Sequence, residues 1–306
     1  MSETAHTRLE STFTDYRIVR QLHDVPPHEV YEIVVDGSRS VYKGNTGPTG
    51  SATTEGLVIE FVGRETSVPV PDIRHVGDGW YLGAWDPAAP SPDEEYEPDR
   101  SWATAAGRGL ARLHRETEPL TDGYGAFRSV ADGLTTSEHD DFHAAALEYL
   151  RDRRQVLDRY GHEDVADRVV DFFERRPDAF DGADGPVCCH GWATPEHVAV
   201  EDGAVACMVD FEHAIAAPAE FDYWRTVVPA FGPGEPNPAT DAFCAGYESV
   251  RSLPDGVSRR KPYYRLLNAV YYFESLYVQD QHGPSETAER AKGLRTVVDE
   301  LLDECS

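Results

Sequence analysis

Lysine is almost missing from this sequence. Only three of its 306 residues are lysines, and 55 acidic side chains against 28 basic ones give a formal charge of −27. Because no stretch gathers the basic residues into a patch, neither nucleic acid nor an anionic membrane is an expected partner. The acidic residues are spread along the whole chain, which predicts a salt-rich cytoplasm, where the Debye length falls to about 3 Å. An ordinary acidic protein is the alternative.

Cysteine pairs and long apolar runs are lacking as well. The five cysteines are an odd number and form no CxxC pair, which argues against a disulfide framework and against a zinc site. The first twenty residues carry scattered charges and no apolar segment, so neither a signal peptide nor a membrane span is predicted there. We therefore expect a soluble, cytoplasmic protein with reduced, mostly buried thiols.

The first third of the chain has the pattern of a small antiparallel sheet with one helix. The segment EVYEIVVDGSRSVYKG alternates and turns at an Asp-Gly pair, residues 36–37, which predicts a hairpin. The segment TTEGLVIEFVGRE has apolar residues at helical spacing, with Thr53 or Thr54 available as its cap. A second hairpin is predicted around residues 78–79.

The composition changes at residues 86–99, where four prolines exclude regular structure and indicate a boundary. Helical patterns follow in SWATAAGRGLARLHRE and over residues 140–175 and 263–277. A strand pair, HVAV and VACMVDF, flanks a turn at residues 201–203. The second part is therefore predicted to be mostly helical, with one hairpin.

The order of these parts resembles the aminoglycoside phosphotransferase and choline kinase family, relatives of the protein kinases. The matching positions are Lys43 on a strand, Glu55 on the following helix, VPVP at 68–71, HGWATPEH at 190–197 and DFE at 210–212. The resemblance covers nearly the whole chain. It implies an α+β, two-lobed, protein-kinase-like fold with a small antiparallel-sheet N-lobe and a mainly helical C-lobe. It also implies ATP and Mg²⁺ as cofactors.

On this resemblance, residues 1–85 form the nucleotide-binding N-lobe and residues 86–306 form the helical C-lobe, which carries the catalytic loop, the metal site and the acceptor pocket. The acceptor is expected to be a small molecule, and the acidity of the chain favours a cationic amine or an amino sugar. The aromatic residues of YYRLLNAVYYFESLYV either line that pocket or pack the core.

Lys43 is the residue expected to contact nucleotide phosphates, with Glu55 holding it in place. A solvated charge at a strand end is the alternative for each of them. Asp210 and Glu212 offer hard oxygen ligands suited to Mg²⁺, although Asp210 can also serve as a turn former after a strand. Asp222 matches an acidic position that braces the catalytic loop in similar proteins.

The catalytic loop departs from the family pattern. The resemblance assigns the catalytic positions to His190, Trp192 and Glu212, but Trp192 replaces the aspartate that accepts the substrate proton and has no acceptor group. His197 replaces a metal-binding asparagine with a nitrogen ligand better suited to zinc. The loop at residues 25–29, VPPHE, has two prolines and a glutamate, which makes it a poor cradle for phosphates.

These departures leave three functions open. The first is a weak phosphotransferase with Glu196 or Glu212 as substitute carboxylate, because positioning and electrostatics carry much of the rate of phosphoryl transfer. The second is an inactive pseudokinase that binds nucleotide or a small ligand and regulates a protein partner. The third is a scaffold that binds no nucleotide.

Overall fold

The N-terminal region of the protein is an antiparallel sheet with two helices. The computed structural model describes residues 2–131, 133–136, 139–232 and 237–305. In chain order the N-terminal elements are α1 (Glu3–Thr12), β1 (Tyr16–Val25), β2 (His28–Val35), β3 (Ser38–Asn45), α2 (Ala52–Glu65), β4 (Ile73–Gly77) and β5 (Trp80–Ala84). The strands are ordered β1-β2-β3-β5-β4, and neighbouring strands are antiparallel.

The two faces of this sheet have different partners. Tyr42 of β3 lies in a small core with Leu9 of α1 and Trp80 of β5. Because successive side chains of a strand point to opposite faces, Lys43 faces the other side. There it contacts Glu55 of α2, so the strand register aims the lysine at the helix.

The C-terminal region is mainly helical. Its elements are α3 (Arg100–Thr117), β6 (Gly125–Val130), β7 (Gly133–Thr136), α4 (Phe142–Asp158), α5 (Glu163–Glu174), β8 (Pro186–Cys189), β9 (Val198–Glu201), β10 (Ala204–Met208), β11 (Ile215–Pro218), α6 (Ala219–Phe231), α7 (Pro238–Glu248), α8 (Val257–Val278) and α9 (Pro284–Glu304). A short 3-10 turn follows α3. Strands β7-β6-β11-β8 form one sheet and β9-β10 form another.

One large core joins the two regions. It contains the apolar face of α2, including Val58 and Val62, together with the buried faces of α3 to α6 and α8. The helix α3 begins at an Asp99 cap, whose carboxylate accepts from the Trp102 amide at 2.7 Å. The loop after β8 and the residues after β10 emerge beside this core, and they carry the candidate site.

The α+β class, the two N-terminal hairpins and the helices are confirmed, and three details differ. The N-cap of α2 is Ser51, and Thr53 instead donates to the carbonyl of Gly77 at 2.8 Å. The expectation of one C-terminal hairpin was wrong, because β6 and β7 form a second hairpin and β11 pairs with both β6 and β8. These strands are short and carry little alternation. Helix α1 was not predicted either.

Within the described ranges, no helix combines the length and apolar character that a bilayer span requires.

Candidate active site

The loop that follows β8 is held in place by hydrogen bonds to a buried carboxylate. Asp222 of α6 accepts from the backbone amides of His190 at 2.6 Å and Gly191 at 2.8 Å. It also lies 3.0 Å from Nε2 of His114 on α3. Gly191 has a φ of +85°, and a Cβ there would collide with the carbonyl of His213. The bracing role predicted for Asp222 is confirmed.

The His190 side chain is committed to the backbone. Its Nε2 lies 2.9 Å from the carbonyl oxygen of Val209, and its Nδ1 accepts from the amide of Trp192 at 3.2 Å. Burial lowers the pKa of His190 to about 4, so the ring is neutral. Both nitrogens are used, and the geometry makes this a residue that positions the loop.

Lys43 lies at the centre of a buried cluster of carboxylates. Its Nζ is 2.8 Å from Glu55, 2.5 Å from Asp210 and 3.0 Å from Glu212. Tyr81 of β5 donates to the other oxygen of Glu55 at 3.1 Å. Burial raises the pKa of Glu55 to about 7 in spite of the lysine charge. We call Lys43, Glu55, Asp210 and Glu212 the Lys43 cluster; it joins β3, α2 and the segment after β10.

Two histidines that sequence reasoning missed complete the surroundings of Glu212. Nδ1 of His28 lies 2.8 Å from Oε2 of Glu212, and the other ring nitrogen of His28 accepts from the amide of Ser51. Nε2 of His213 lies 3.0 Å from Oε1 of Glu212 and 2.8 Å from the hydroxyl of Tyr271. His28 begins β2 directly after the Pro26-Pro27 turn, so that turn delivers an imidazole to the site.

The same turn does not present the negative charge that its sequence predicts. The carboxylate of Glu29 is buried and accepts from the hydroxyls of Ser2 at 2.5 Å and Tyr31 at 2.9 Å. The charge of Glu29 is therefore directed to the N-terminal segment. The expectation that Glu29 faces the phosphates is wrong, because the alternation of β2 places His28 and Glu29 on opposite faces.

His197 is an imidazolium that faces two acceptors. Its Nδ1 lies 3.1 Å from the carbonyl oxygen of Trp192, and its Nε2 lies 3.1 Å from Oδ2 of Asp210. Burial alone would lower the pKa of His197, but the adjacent carboxylate of Asp210 outweighs burial and raises it to about 9. Both ring nitrogens therefore donate, and neither offers a lone pair to a metal.

This donor set does not fit Mg²⁺. Asp210 and Glu212 are hard oxygen ligands, but all four of their oxygens contact protein nitrogens, from Lys43, His28, His197 and His213. The position expected to supply an amide oxygen holds a cation instead. The positive charge that a divalent ion would bring is already supplied by side chains.

Trp192, at the position where the resemblance predicts the base, packs among aromatic rings. It is half-buried, meets Tyr272 edge to face at 5.7 Å between ring centroids, and lies 6.0 Å from Tyr271. Its indole Nε1 donates to the exposed Glu196 at 3.3 Å. Of the two substitute carboxylates predicted from sequence, Glu196 is thus hydrogen-bonded to the indole and Glu212 is held in ion pairs.

A buried arginine beneath the loop was also missed. Arg225 of α6 is 1% exposed, stacks 3.9 Å from the ring centroid of Tyr271 and donates to the hydroxyl of Tyr149 at 2.6 Å. Its Nε donates to the carbonyl of Gly191. The signal in the sequence is its spacing, three residues after Asp222, which places both side chains on one face of a helix. Together they hold the loop from α6.

Three solved structures with the same fold are those of an aminoglycoside phosphotransferase, an aminopropanol kinase and a macrolide phosphotransferase. A thermostable variant of an aminoglycoside phosphotransferase, in a ternary complex with ADP and hygromycin B, is 11% identical, with a TM-score of 0.64 over 99% of this chain and 98% of its own. A microcompartment-associated aminopropanol kinase is 15% identical (TM-score 0.62; 99% and 97%). The macrolide 2′-phosphotransferase of Brachybacterium faecium is 17% identical (TM-score 0.57; 96% and 97%).

At these identities the solved structures show the fold, which is the kinase-like fold expected from the sequence. No curated protein matches the chain. Family membership rests on a separate match, between residues 50–263, more than half of the chain, and the profile of a known family. That segment contains Glu55, the catalytic loop and the DFE segment, and it begins after Lys43. The chain belongs to the phosphotransferase enzyme family.

Proposed function

We propose that this protein binds a nucleoside phosphate at the Lys43 cluster and that it transfers the phosphoryl group poorly. The observation that carries the proposal is the buried Lys43, which pairs with Glu55 at 2.8 Å and with Asp210 at 2.5 Å. A lysine with three donors in this position is what contacts phosphate oxygens in kinase-like sites. Phosphates would replace Asp210 and Glu212 as its partners.

The poor transfer follows from the loop. Trp192 has no group that accepts a proton, and a general base is typically worth about 10²–10⁴-fold in rate. His197 brings a positive charge close to Asp210 in place of a neutral amide. This charge favours binding of the anionic phosphates, and it removes the need for a divalent ion. The protein is thus closer to a nucleotide-binding pseudokinase than to an efficient kinase.

The acceptor, or the small ligand of an inactive protein, is proposed to be a cationic amine. A cavity of about 170 Å³ lies beside Glu212, and its lining also includes Glu148 and Asp152 of α4. Burial, and then the charge of Glu148, raise the pKa of Asp152, so a cation nearby would relieve an unfavourable negative charge. The only arginine of that lining within the described residues, Arg153, already pairs with Glu274 at 3.3 Å.

Nucleotide binding is tested by thermal unfolding and by direct titration in high-salt buffer. ATP, ADP and GTP are each added with Mg²⁺ or with EDTA, and a ligand that binds the folded state raises the melting temperature. We expect a shift of similar size in both conditions, lost in Lys43→Ala and kept in Lys292→Ala, which removes an exposed lysine of α9.

The outcomes separate the three functions left open by the sequence. If no nucleotide shifts the wild type at millimolar concentration, the nucleotide proposal is wrong and the scaffold function is favoured. A shift that requires Mg²⁺ and is lost in Asp210→Ala would show that the carboxylates release their protein partners to a metal. Because Lys43→Ala removes the ion-pair partner of the buried Glu55, its binding is measured at a temperature where circular dichroism shows it folded.

A further inference from the structure

A second cavity, of about 150 Å³, lies between the α2–β4 connection, α3 and the β9–β10 turn. The connection contributes Pro69, α3 contributes Gly109, and the strand side contributes Ala204. This cavity shares no lining residue with the cavity beside Glu212. It is a separate site, formed by residues of both regions.

The charge of this cavity is opposite to that of the chain. Among the described residues that line it, the charged ones are Arg108 and Arg112, and none is acidic. The two arginines are four residues apart on α3, which places them on one face of the helix one turn apart. Although the chain as a whole has a formal charge of −27, the charged side chains that line this cavity are all positive.

Neither arginine has a hydrogen-bond or ion-pair partner within the part of the chain that the structure describes. The acid best placed by sequence, Glu116, lies one turn beyond Arg112 but accepts from the amide of Ser67 at 2.6 Å and from its hydroxyl at 2.9 Å. Arg108 is exposed, and Arg112 is half-buried. Both guanidinium groups therefore retain donors for a ligand.

The walls leave room for that ligand. A Cβ on Gly109 would collide with the side chain of Val205, so glycine here lets β10 approach α3 closely. The remaining lining residues are small or apolar and have no side-chain oxygen that competes for the arginines. The volume is enough for a few water molecules or one small polyatomic anion.

We propose that this cavity binds a small oxyanion, with Arg108 and Arg112 as its ligands. A planar guanidinium presents paired N–H donors that match the oxygens of a phosphate group, and two of them match its two negative charges. Lysine could not provide the same paired geometry. The proposal does not depend on nucleotide binding at the Lys43 cluster.

The bound anion would contact both regions of the fold. Pro69 of the α2–β4 connection accepts from the amide of Met208 at 2.8 Å, and Met208 ends β10 two residues before Asp210. An anion held by α3 beside this contact adds contacts that exist only in the folded chain. It should therefore stabilise the folded protein by mass action.

The test uses inorganic phosphate as the probe. Thermal unfolding is followed while phosphate replaces chloride at constant, high ionic strength and constant pH. Phosphate also stabilises proteins by exclusion from their surface, which gives a rise that does not saturate. We expect the wild type to show a saturating rise in addition, and Arg108→Gln and Arg112→Gln each to raise the phosphate concentration at half-saturation at least tenfold. Arg100→Gln, at the exposed start of α3, removes the same charge outside the cavity and should keep the response.

A repeat with Lys43→Ala identifies which site binds the phosphate. A saturating rise that persists in Lys43→Ala and is lost in Arg112→Gln assigns the phosphate to this cavity. A response that Arg112→Gln and Arg100→Gln share equally overturns the proposal, and so does a response lost only in Lys43→Ala, which would place phosphate at the Lys43 cluster. Circular dichroism confirms that each variant is folded before its titration is interpreted.

Discussion

The charge on His197 predicts a measurable dependence of stability on pH. The ring lies 3.1 Å from Asp210, its side chain is 21% exposed, and its pKa in the folded protein is about 9, against an ordinary value of 6.5. At about 1.4 kcal/mol per pH unit, this difference is equivalent to an upper limit of about 3 kcal/mol. We expect His197→Asn to remove this contribution. Because water reaches the exposed part of the ring, the measured difference in the free energy of unfolding should be smaller than the upper limit.

The sign follows from the direction of the shift. The folded protein holds the His197 proton more tightly than the unfolded chain, so the contribution is complete below about pH 6.5 and is lost as the pH rises through about 9. The free energy of unfolding of the wild type should therefore fall toward that of His197→Asn between these values. Above about pH 9.5 the two proteins should differ by the same amount at every pH.

Urea unfolding followed by circular dichroism measures both proteins from pH 6 to 10 at constant high ionic strength. His282→Asn, in the loop before α9, controls for the loss of an imidazole away from the site. Groups such as Glu55 titrate in both proteins, and their effect cancels in the difference. If the curves of wild type and His197→Asn run parallel between pH 6.5 and 9, the ring is neutral, and the charge that we invoke against Mg²⁺ binding is not there.

Three further predictions concern the loop and the core. Trp192→Asp combined with His197→Asn restores a proton acceptor and an oxygen ligand. The rate of ATP hydrolysis with Mg²⁺ should therefore rise by more than the sum of the two single-variant effects. A wild type that hydrolyses ATP faster than both single variants would contradict this. Gly191→Ala should lower the free energy of unfolding by about 1–3 kcal/mol through backbone strain alone, and an unchanged urea midpoint would contradict the tight fit of the loop. Arg260 of α8 forms a bidentate ion pair with the buried carboxylate of Glu220 on α6. Arg260→Met removes this partner and should lower the free energy of unfolding by about 3–5 kcal/mol in the same assay. An unchanged free energy of unfolding would mean that water reaches Glu220.

Much of the fold could be predicted from local patterns. Both residues of the Asp-Gly turn at 36–37 have positive φ, as does Gly79 of the turn at 78–79, and both hairpins form there. Strand β7 was missed because it is short and has few alternating residues, and β11 was missed because it pairs with distant segments, β6 and β8. The Ser51 cap was missed for a related reason, since Thr53 finds a tertiary partner in Gly77.

The sequence predicted which residues form the candidate site, but it did not predict the charged groups that surround them. Sequence order placed Lys43, Glu55 and Asp210 in one site, and the structure brings them together. It did not show that His28 and His213 close around Glu212, because neither histidine occupies a motif position.

The sequence by itself indicated the family, the order of its motif positions along the chain and a tryptophan at the predicted base position, because these depend on residue identity and spacing. Only the tertiary structure decided that His197 is a cation, since its pKa depends on burial and on the distance to Asp210. The structure also decided that the carboxylates already have protein partners, and that Arg108 and Arg112 face one cavity. The physical reason is the same in each case. Electrostatic energy depends on distances between residues far apart in the chain and on the water between them, and a linear sequence specifies neither.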